Sequence, residues 1–481
     1  QNDSWAFMRA SRYIASLQST NTPFELFIPK GIYLVGLQSR RGEVLKNGEL
    51  RVQAPSYEAY YAPILLDLTG VSNVKIYGEP GTVIKYRDGI KYGAFDAATE
   101  KKYQPDKMPF TNSYYAAAGG VFLLIHHSRN VEISNLELDG NLPGLNIGGN
   151  FGDLGIQLGH IGVYLSSQSE NILLSKIHAH HFGLDGFHVR DKDTLDNSLK
   201  IMDFCRAEFN GRQGCSWTGG NNLYCFNSVF ANTGQSRVSS APGAGLDIEP
   251  ESGGSSCTNG YFEQCAFYNN KQYALLATST AKDRISRGHQ FVKCAFIGNQ
   301  SPALKSPGSP ARFISCHFIG ALVSPSGSLT EPLEFVACNF TDQADQLPQT
   351  YSKLAIPWKR PTLALTPPYC LIDLSWGKGS TLFQDCEFYF SQSVALMLDG
   401  GNSCILKNSI LHFNYLKKFL DERSNIAFIH DCKLESNVWI NQSTGPVKIN
   451  SNGRTQSDGR NTLKGNSADL LWNGNKVKLN F

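Results

Sequence analysis

Phe262-Glu-Gln-Cys-Ala-Phe267 is followed by three near copies: Phe291-Val-Lys-Cys-Ala-Phe296, Phe313-Ile-Ser-Cys-His-Phe318 and Phe335-Val-Ala-Cys-Asn-Phe340. A phrase that returns at intervals along a chain indicates a repeated unit that packs against its neighbouring copies. Helical periodicity is nearly absent here, and the repeats are too short to hold a strand, a helix and a second strand. The phrase therefore predicts short strands stacked coil upon coil in a parallel β-solenoid.

The repeat extends in both directions, with an Asn- or Ser-containing turn and a short alternating strand every ~20–31 residues. Further copies are Asn73-Val-Lys-Ile, Asn130-Val-Glu-Ile, Asn171-Ile-Leu-Leu, Ser198-Leu-Lys-Ile, Asn222-Leu-Tyr-Cys, Cys404-Ile-Leu-Lys and Ile426-Ala-Phe-Ile429. Because one coil cannot bury its own apolar face, the coils should share one core. We expect one domain over residues 1–481, with loop insertions at 92–118, 142–160 and 342–370.

Cysteine follows the same repeat. The chain has 12 cysteines, and six of them stand two residues before an apolar residue in the recurring phrase: Cys265, Cys294, Cys316, Cys338, Cys386 and Cys432. A residue type that returns at one place in successive coils predicts an inward column of buried, reduced thiols rather than disulfides.

The N terminus supplies a cap for the solenoid. Residues 3–17 predict an amphipathic helix that starts at Asp3 or Ser4 and places Phe7, Ala10, Ile14 and Leu17 on one face. The strand Phe27-Ile-Pro-Lys-Gly-Ile-Tyr-Leu-Val-Gly36 follows. The capping helix, the Ile-Pro-x-Gly-x-Tyr strand and the Asn-x-x-Ile coils together resemble the pectin-lyase-like superfamily.

This resemblance covers essentially the whole chain. It implies an all-β fold, a right-handed parallel β-helix with an N-terminal capping helix, in which residues 1–36 form the cap and the first strand. It leaves the reaction open, because the superfamily includes hydrolases, lyases, epimerases and phage tailspikes.

Composition excludes several functional classes. Hydrophobic residues make up 41% of the chain, charged residues 18%, and there are 45 glycines, as in a β-rich globular protein. The net charge of +3 gives no reason to expect nucleic acid or an anionic membrane as partner. No apolar run reaches the ~18 residues of a membrane span. The chain begins with Gln1 rather than Met, so we expect a secreted or periplasmic protein that has lost a signal peptide.

Four glycine-initiated strands align as a candidate site: Gly162-Val-Tyr-Leu-Ser166, Gly186-Phe-His-Val-Arg190, Gly214-Cys-Ser-Trp-Thr218 and Gly245-Leu-Asp-Ile-Glu249. Strand alternation points their apolar residues inward and predicts polar side chains on one exposed face of the sheet. Those side chains form two columns: Tyr164, His188, Ser216 and Asp247, and Ser166, Arg190, Thr218 and Glu249.

Asp247 and Glu249 are the predicted catalytic residues. Two positions apart on a strand, their carboxyl groups should start roughly 6.5–7 Å apart, near the ~6.5–9.5 Å separation of an inverting glycosidase. Iota-carrageenases resemble this arrangement with the order Glu-x-Asp, which implies the geometry and not the substrate. We therefore predict an inverting glycoside hydrolase without a required metal, in which either carboxyl is the acid. The predicted substrate-binding residues are His188, Arg190, Arg212, Gln213, Asp185, Tyr164 and Glu251.

Two other functions stay open. A polysaccharide lyase would use Arg190 or Arg212 as base or neutralising charge, while Asp247, Glu249 and Glu251 hold Ca²⁺. A tailspike-like glycan-binding protein would show no turnover. Carbohydrate is the expected partner in all three; the sugar, its linkage and the oligomeric state stay open.

Two further features have bland and functional interpretations. The cluster His178, His180 and His181 can bind a transition metal, but no cysteine or carboxylate stands at ligand spacing along the sequence, so we expect solvated or turn histidines. Aromatic residues in the insertions either contact sugar faces from groove walls or anchor their loops: Tyr92, Phe95, Tyr103, Phe110, Tyr114, Tyr115, Tyr351, Trp358 and Tyr369.

Overall fold

A computed structural model of the chain describes residues 2–17, 23–40, 57–96, 98–102, 120–148, 157–191, 198–236, 238–251, 255–278, 285–298, 302–328, 330–342, 370–374, 379–391, 395–398, 404–414, 426–443, 447–451, 454–465, 470–472 and 475–476. The chain divides into two compact units, Gln1–Gly245 (unit 1) and Leu246–Phe481 (unit 2). That the two form one domain stays a prediction. None of the helices in the described ranges is long and apolar enough to cross a membrane.

Unit 1 begins with the helix Ser4–Ser16, which buries Phe7 and Ile14 as its amphipathic pattern predicts. Asp3 occupies the N-cap position, but its side chain makes no capping hydrogen bond. The Asp3 carboxylate instead accepts the backbone N–H of Leu34 at 3.0 Å, and Asn2 Oδ1 accepts the N–H of Ser4 at 3.1 Å. Asp3 therefore ties the helix to the first coil rather than capping it.

Parallel strands make up most of unit 1. One sheet contains two sets of coil strands: Phe24–Ile28, Ile32–Val35, Ser72–Gly78, Val83–Tyr86, Arg129–Asp139, Glu170–His180, Lys200–Asp203, Arg206–Glu208, Leu223–Phe226 and Val229–Ala231. A second sheet contains Leu66–Thr69, Gly120–His126, His160–Ser166, Asp185–Arg190 and Gln213–Asn221. Unit 1 ends and unit 2 begins within the strand Ala244–Ile248.

A small additional sheet in unit 1 corrects part of the predicted insertion 92–118. It contains Ser39–Arg40, Tyr57–Tyr61, Lys91–Asp96 and Asn146–Gly148, and a short 3₁₀ turn covers Leu142–Gly144. Tyr92 and Phe95 are buried in it, and the Tyr92 hydroxyl donates to Leu37 O at 3.3 Å. These two aromatic residues anchor the chain and do not line a groove. The other seven predicted aromatic residues lie outside the described side chains.

Unit 2 repeats a single coil design. Its first sheet contains pairs of strands that are separated by two residues, or by four in the last pair: Tyr261–Glu263, Ala266–Tyr268, His289–Val292, Ala295–Ile297, Ala311–Ile314, His317–Ile319, Leu333–Val336, Asn339–Thr341, Thr381–Gln384, Glu387–Phe390, Cys404–Lys407, Ile410–Phe413, Cys432–Glu435, Val438–Asn441, Gln456–Ser457 and Thr462–Gly465. Its remaining strands are Ser256–Thr258, Leu275–Ala277, Ile285–Arg287, Leu304–Pro307, Leu322–Ser326, Cys370–Asp373, Ala395–Leu398, Ile426–Ile429, Val447–Ser451, Leu470–Trp472 and Asn475–Lys476.

Left-handed backbone at single residues makes the corners of the coils. In unit 1, Asn73, Asn130 and Asn171 have φ of 57°, 55° and 53°. Asparagine tolerates this region better than most residues. Their side chains also form a ladder, because Asn130 Nδ2 donates to Asn73 Oδ1 at 2.9 Å and Asn171 Nδ2 donates to Asn130 Oδ1 at 3.1 Å. The Asn-containing turns of the repeat are thus confirmed as corners.

In five coils of unit 2 the residue after the corner is a cysteine, which forms the predicted thiol column. Cys294, Cys316, Cys338 and Cys386 are buried free thiols, and each donates to a backbone carbonyl of the preceding coil at 3.3–3.4 Å. The prediction of reduced core cysteines is confirmed for these four, and also for Cys265 and Cys432, which are buried free thiols as well.

Cys432 does not belong to this column, which corrects the sequence alignment. It pairs in register with Cys404, and the corners Asn408 and Ser436 are followed by Ser409 and Asn437. Serine and asparagine fit because each offers an acceptor to the preceding coil: the N–H of Cys386 donates to Ser409 Oγ at 3.2 Å.

Two stacks of phenylalanine rings fill the core of unit 2. The first runs through Phe262, Phe291, Phe313, Phe335 and Phe383, with neighbouring ring centroids 4.7–5.0 Å apart. The second runs through Phe267, Phe296, Phe318, Phe340 and Phe388, at 4.8–5.0 Å. This spacing follows the distance between neighbouring strands, so the two phenylalanines of the repeated phrase produce one stack each. The parallel β-helix with an N-terminal helix is confirmed.

Candidate functional site

The predicted alignment of strands in unit 1 is correct except at its last position. Tyr164 lies opposite His188, and Ser166 lies opposite Arg190. His188 lies opposite Ser216, as predicted, but a bulge then places Arg190 opposite Gly219 instead of Thr218. The ungapped alignment is therefore wrong at that point.

The bulge brings Thr218 to His188. His188 Nε2 lies 3.2 Å from Thr218 Oγ1, and His188 Nδ1 lies 3.0 Å from Asp185 Oδ2. The Tyr164 ring covers the imidazole, with centroids 4.9 Å apart. A carboxylate on one ring nitrogen and a hydroxyl on the other is an arrangement that can orient a histidine for proton transfer.

The face that carries these side chains is mostly buried, contrary to the prediction of an exposed sheet. Asp185 and Gln213 are fully buried, and His188 and Arg212 are each 8% exposed. Burial of polar groups is tolerated here because they bond to one another and to the backbone. Among the predicted residues of unit 1, Tyr164, Ser166 and Arg190 keep intermediate exposure.

Arg212 and Gln213 have structural contacts of their own. Arg212 Nε donates to the carbonyl of Ala241 at 3.3 Å, and Gln213 Oε1 accepts the backbone N–H of Ala244 at 3.0 Å. Both side chains therefore hold the segment that leads into the strand Ala244–Ile248. This contact explains their burial without a substrate.

In unit 2, Asp247 lies in the strand with Leu246 and Ile248 on either side, both fully buried as predicted. Asp247 itself is only 1% exposed and lies opposite Leu276. Its predicted exposure is wrong. Glu249 and Glu251 follow the strand and are half-buried, so water reaches them.

The charges of these three carboxylates all act on Cys257, which is completely buried. Burial raises the pKa of the Cys257 thiol well above its ordinary value, and the negative charges of Asp247, Glu251 and Glu249 raise it further. Three carboxylates therefore act on one buried point. Sequence reasoning selected all three but missed Cys257, whose Ser-Cys-Thr strand carries no catalytic signal.

A buried ion pair also escaped the sequence analysis. Lys200 Nζ lies 2.6 Å from Asp191 Oδ2, and both side chains are almost completely buried. Asp191 Oδ1 accepts the N–H of Gln168 at 2.8 Å. Both charged groups, the Lys200 ammonium and the Asp191 carboxylate, thus hold coils together.

The predicted histidine cluster of unit 1 has carboxylates beside it after all. His178 and His180 lie opposite Glu137 and Asp139 of the neighbouring strand. Within the described part of the chain, the residue groups with metal-ligand proximity are Glu137, His178 and His180, and Asp139, His180 and His181.

The chain is thus a parallel β-helix protein with polar clusters on its coils. No protein-family model matches it, and no curated protein does. Similar solved structures include the A-module of mannuronan C-5 epimerase AlgE4 from Azotobacter vinelandii, at 14% identity over 97% of this chain and 96% of that one, with a TM-score of 0.42. The tailspike protein of E. coli bacteriophage HK620 is similar at 11% identity over 99% and 75%, with a TM-score of 0.45. At such identities and scores we take nothing about reaction or substrate from them.

Proposed function

We propose that this protein is a secreted or periplasmic carbohydrate-active enzyme, an inverting glycoside hydrolase that uses Asp247 and Glu249 as its acid and base. The observation that carries the proposal is the position of the two carboxyl groups: Asp247 lies in the strand Ala244–Ile248, and half-buried Glu249 follows directly after that strand. A pair of carboxyl groups that flank the scissile bond is what this reaction requires.

The proposed reaction adds water across a glycosidic bond. One carboxyl group donates a proton to the oxygen of the leaving sugar while the bond from that oxygen to the anomeric carbon breaks. The other carboxylate removes a proton from a water molecule that attacks the opposite face of the sugar ring. Each turnover would leave the two groups with exchanged protonation states, restored through solvent. The half-buried position of Glu249 gives solvent access for that step.

A panel of poly- and oligosaccharides tests the proposal with wild type, Asp247→Asn and Glu249→Gln. We expect new reducing ends without unsaturated product, and a loss of about 10²–10⁴-fold in rate for each variant. Glu334→Gln is the matched control, since Glu334 is a half-exposed carboxylate of unit 2 paired with Arg312 at 3.2 Å. Activity that survives both site substitutions would refute the assignment.

A second candidate, a polysaccharide lyase, is favoured by a different observation in unit 1. The contacts of His188 with Asp185 and Thr218 suit a general base. His188 would take the proton next to a uronate carboxyl group, and that electron pair would form a C=C bond as the neighbouring C–O bond breaks. The leaving oxygen would take a proton from water. Half-exposed Arg190 is available to bind the uronate, whereas Arg212 is engaged with Ala241.

The same panel separates the candidates. Ultraviolet absorbance from a new C=C bond, lost in His188→Asn and kept in Asp247→Asn, would select the lyase. Oligosaccharide binding without any product would select a glycan-binding protein.

A further inference from the structure

We propose that Asp139, His180 and His181 bind one transition-metal ion, with Zn²⁺ as the best-fitting ion, and that Glu137 holds His180 in the ligating tautomer. Imidazole and carboxylate are ligands that Zn²⁺ accepts readily. The proposal is independent of the reaction proposed above.

The coil register brings the ligands together. Strands Arg129–Asp139 and Glu170–His180 run parallel, with Asp139 directly opposite His180. His181 follows at a corner with φ of 56°, and this left-handed backbone turns its ring beside that of His180. The His181 ring also stacks on Phe209, with centroids 5.2 Å apart and planes 7° apart. His180 and His181 are therefore held in place without an ion.

The atoms have nearly the spacing that a metal requires. His180 Nδ1 lies 2.6 Å from His181 Nδ1, and the two nitrogens lie 3.7 and 3.9 Å from Asp139 Oδ1. These two nitrogens and the Asp139 oxygen form a triangle, and the point equidistant from the three atoms is about 2.0 Å from each of them. Zn–N and Zn–O bonds measure about 2.0–2.2 Å. Tetrahedral binding would open the nitrogen pair to about 3.3 Å, a change of under 1 Å.

Neighbouring groups orient the ligands as in known metal sites. His180 Nε2 lies 3.2 Å from Glu137 Oε1. A proton on Nε2 shared with that carboxylate leaves the lone pair of Nδ1 free for the ion. Asp139 Oδ1 also accepts the backbone N–H of Asn141 at 2.7 Å, which fixes the carboxylate.

The site is partly open to solvent. The ring of His181 is 32% exposed, which leaves a side open for a water ligand. The nearby cation, Lys85, lies 3.4 Å from the other oxygen of Asp139 and does not occupy the triangle.

His178 is the natural control because it lies beside the site with a partner of its own. Its Nε2 is 3.1 Å from Glu208 Oε2, and Arg206 Nη2 holds the same oxygen at 2.8 Å. We therefore assign His178 to Glu208 and not to the ion. Without a metal, the 2.6 Å contact would be a hydrogen bond from His181 to His180, and titration distinguishes the two.

The test is calorimetric titration of the chelator-stripped full chain with ZnCl₂. We expect one Zn²⁺ per chain, a loss of at least about 100-fold in affinity for His181→Gln and for Asp139→Asn, and about 10–100-fold for Glu137→Gln. His178→Gln should bind as wild type does. With Co²⁺ in place of Zn²⁺, visible absorption bands should appear in wild type and His178→Gln and vanish in His181→Gln.

Three results would overturn the proposal. Wild type could fail to bind Zn²⁺, His181→Gln and Asp139→Asn could bind it as tightly as wild type, or His178→Gln could lose as much affinity as those two variants. Circular dichroism of each variant guards against misfolding. His181 is more exposed than Asp139, at 32% against 13%, so His181→Gln should disturb the packing less than Asp139→Asn.

Discussion

Two buried histidines, one in each unit, should make the protein lose stability on mild acidification. His160 and His289 are fully or almost fully buried. In each, Nδ1 accepts a backbone N–H, from Gly183 at 3.2 Å and from Gly260 at 3.3 Å. Nδ1 must therefore carry a lone pair, and both rings are neutral.

Burial lowers the pKa of both histidines to about 3, whereas an unfolded histidine has a pKa of about 6.5. The unfolded chain therefore binds protons more readily, so stability is complete above about pH 6.5 and falls as the pH drops toward 3. Between pH 7 and pH 5 each histidine should lower the free energy of unfolding of its unit by about 2 kcal/mol. That is a large part of the ~5–15 kcal/mol that stabilises a typical domain.

Asparagine at either position supplies the control. In His160→Asn and His289→Asn the amide oxygen replaces Nδ1 as acceptor and does not titrate, while the lost ring lowers stability by a similar amount at every pH. Urea unfolding at pH 7, 6 and 5, followed by hydrogen exchange of peptides from each unit, measures the difference between wild type and variant. That difference should shrink by about 2 kcal/mol from pH 7 to 5. A constant difference would refute the reasoning.

Three further substitutions test the columns of the coils by urea unfolding. Phe313→Ala removes a ring stacked on both sides and should lower the free energy of unfolding by about 3–5 kcal/mol. Phe204→Ala, at a side chain that is 50% exposed, should lower it by less than about 1 kcal/mol. Equal losses in the two variants would contradict the stacking argument. Cys338→Ser should cost no more than about 1.5 kcal/mol, because Ser409 already occupies this column; a larger loss would show that the thiol is specifically required. Asn130→Ala should cost about 1–2 kcal/mol more than Asn130→Gly, because both lose the ladder but glycine keeps the left-handed corner; glycine as the worse substitution would contradict this.

The columns inside the coils could be predicted because the chain repeats itself. Phenylalanine and cysteine return at fixed places in the phrase 262–267 and its copies, and that regularity by itself indicates stacks. Cys432 was misplaced because a coil has two positions that precede an alternating strand, one before its first strand and one after its corner. Local sequence letters do not distinguish those two positions; only pairing with Cys404 does.

The candidate site could be predicted only in part, because alternation tells which side of a sheet a residue faces and not what covers that side. Alternation predicts an exposed Asp247 between the buried residues Leu246 and Ile248, yet Asp247 is as buried as they are. The pairing of His180 with Glu137, 43 residues away, depends on the register between coils. The bulge at Thr218 is followed by Gly219-Gly220, and φ of Gly220 is 106°. Two glycines are typical of irregular strands, but they do not by themselves predict where a bulge lies.

The thiol column of unit 2 also allows the opening of individual coils to be followed by cysteine labelling. Cys294, Cys316, Cys338 and Cys386 stand one per coil, and each is sealed from solvent while its coil is closed. A brief pulse of a thiol-alkylating reagent can mark only those coils that have opened, and mass spectrometry reads the marks by position. The order in which the four cysteines are labelled would therefore tell whether the coils open from one end, from the other, or together.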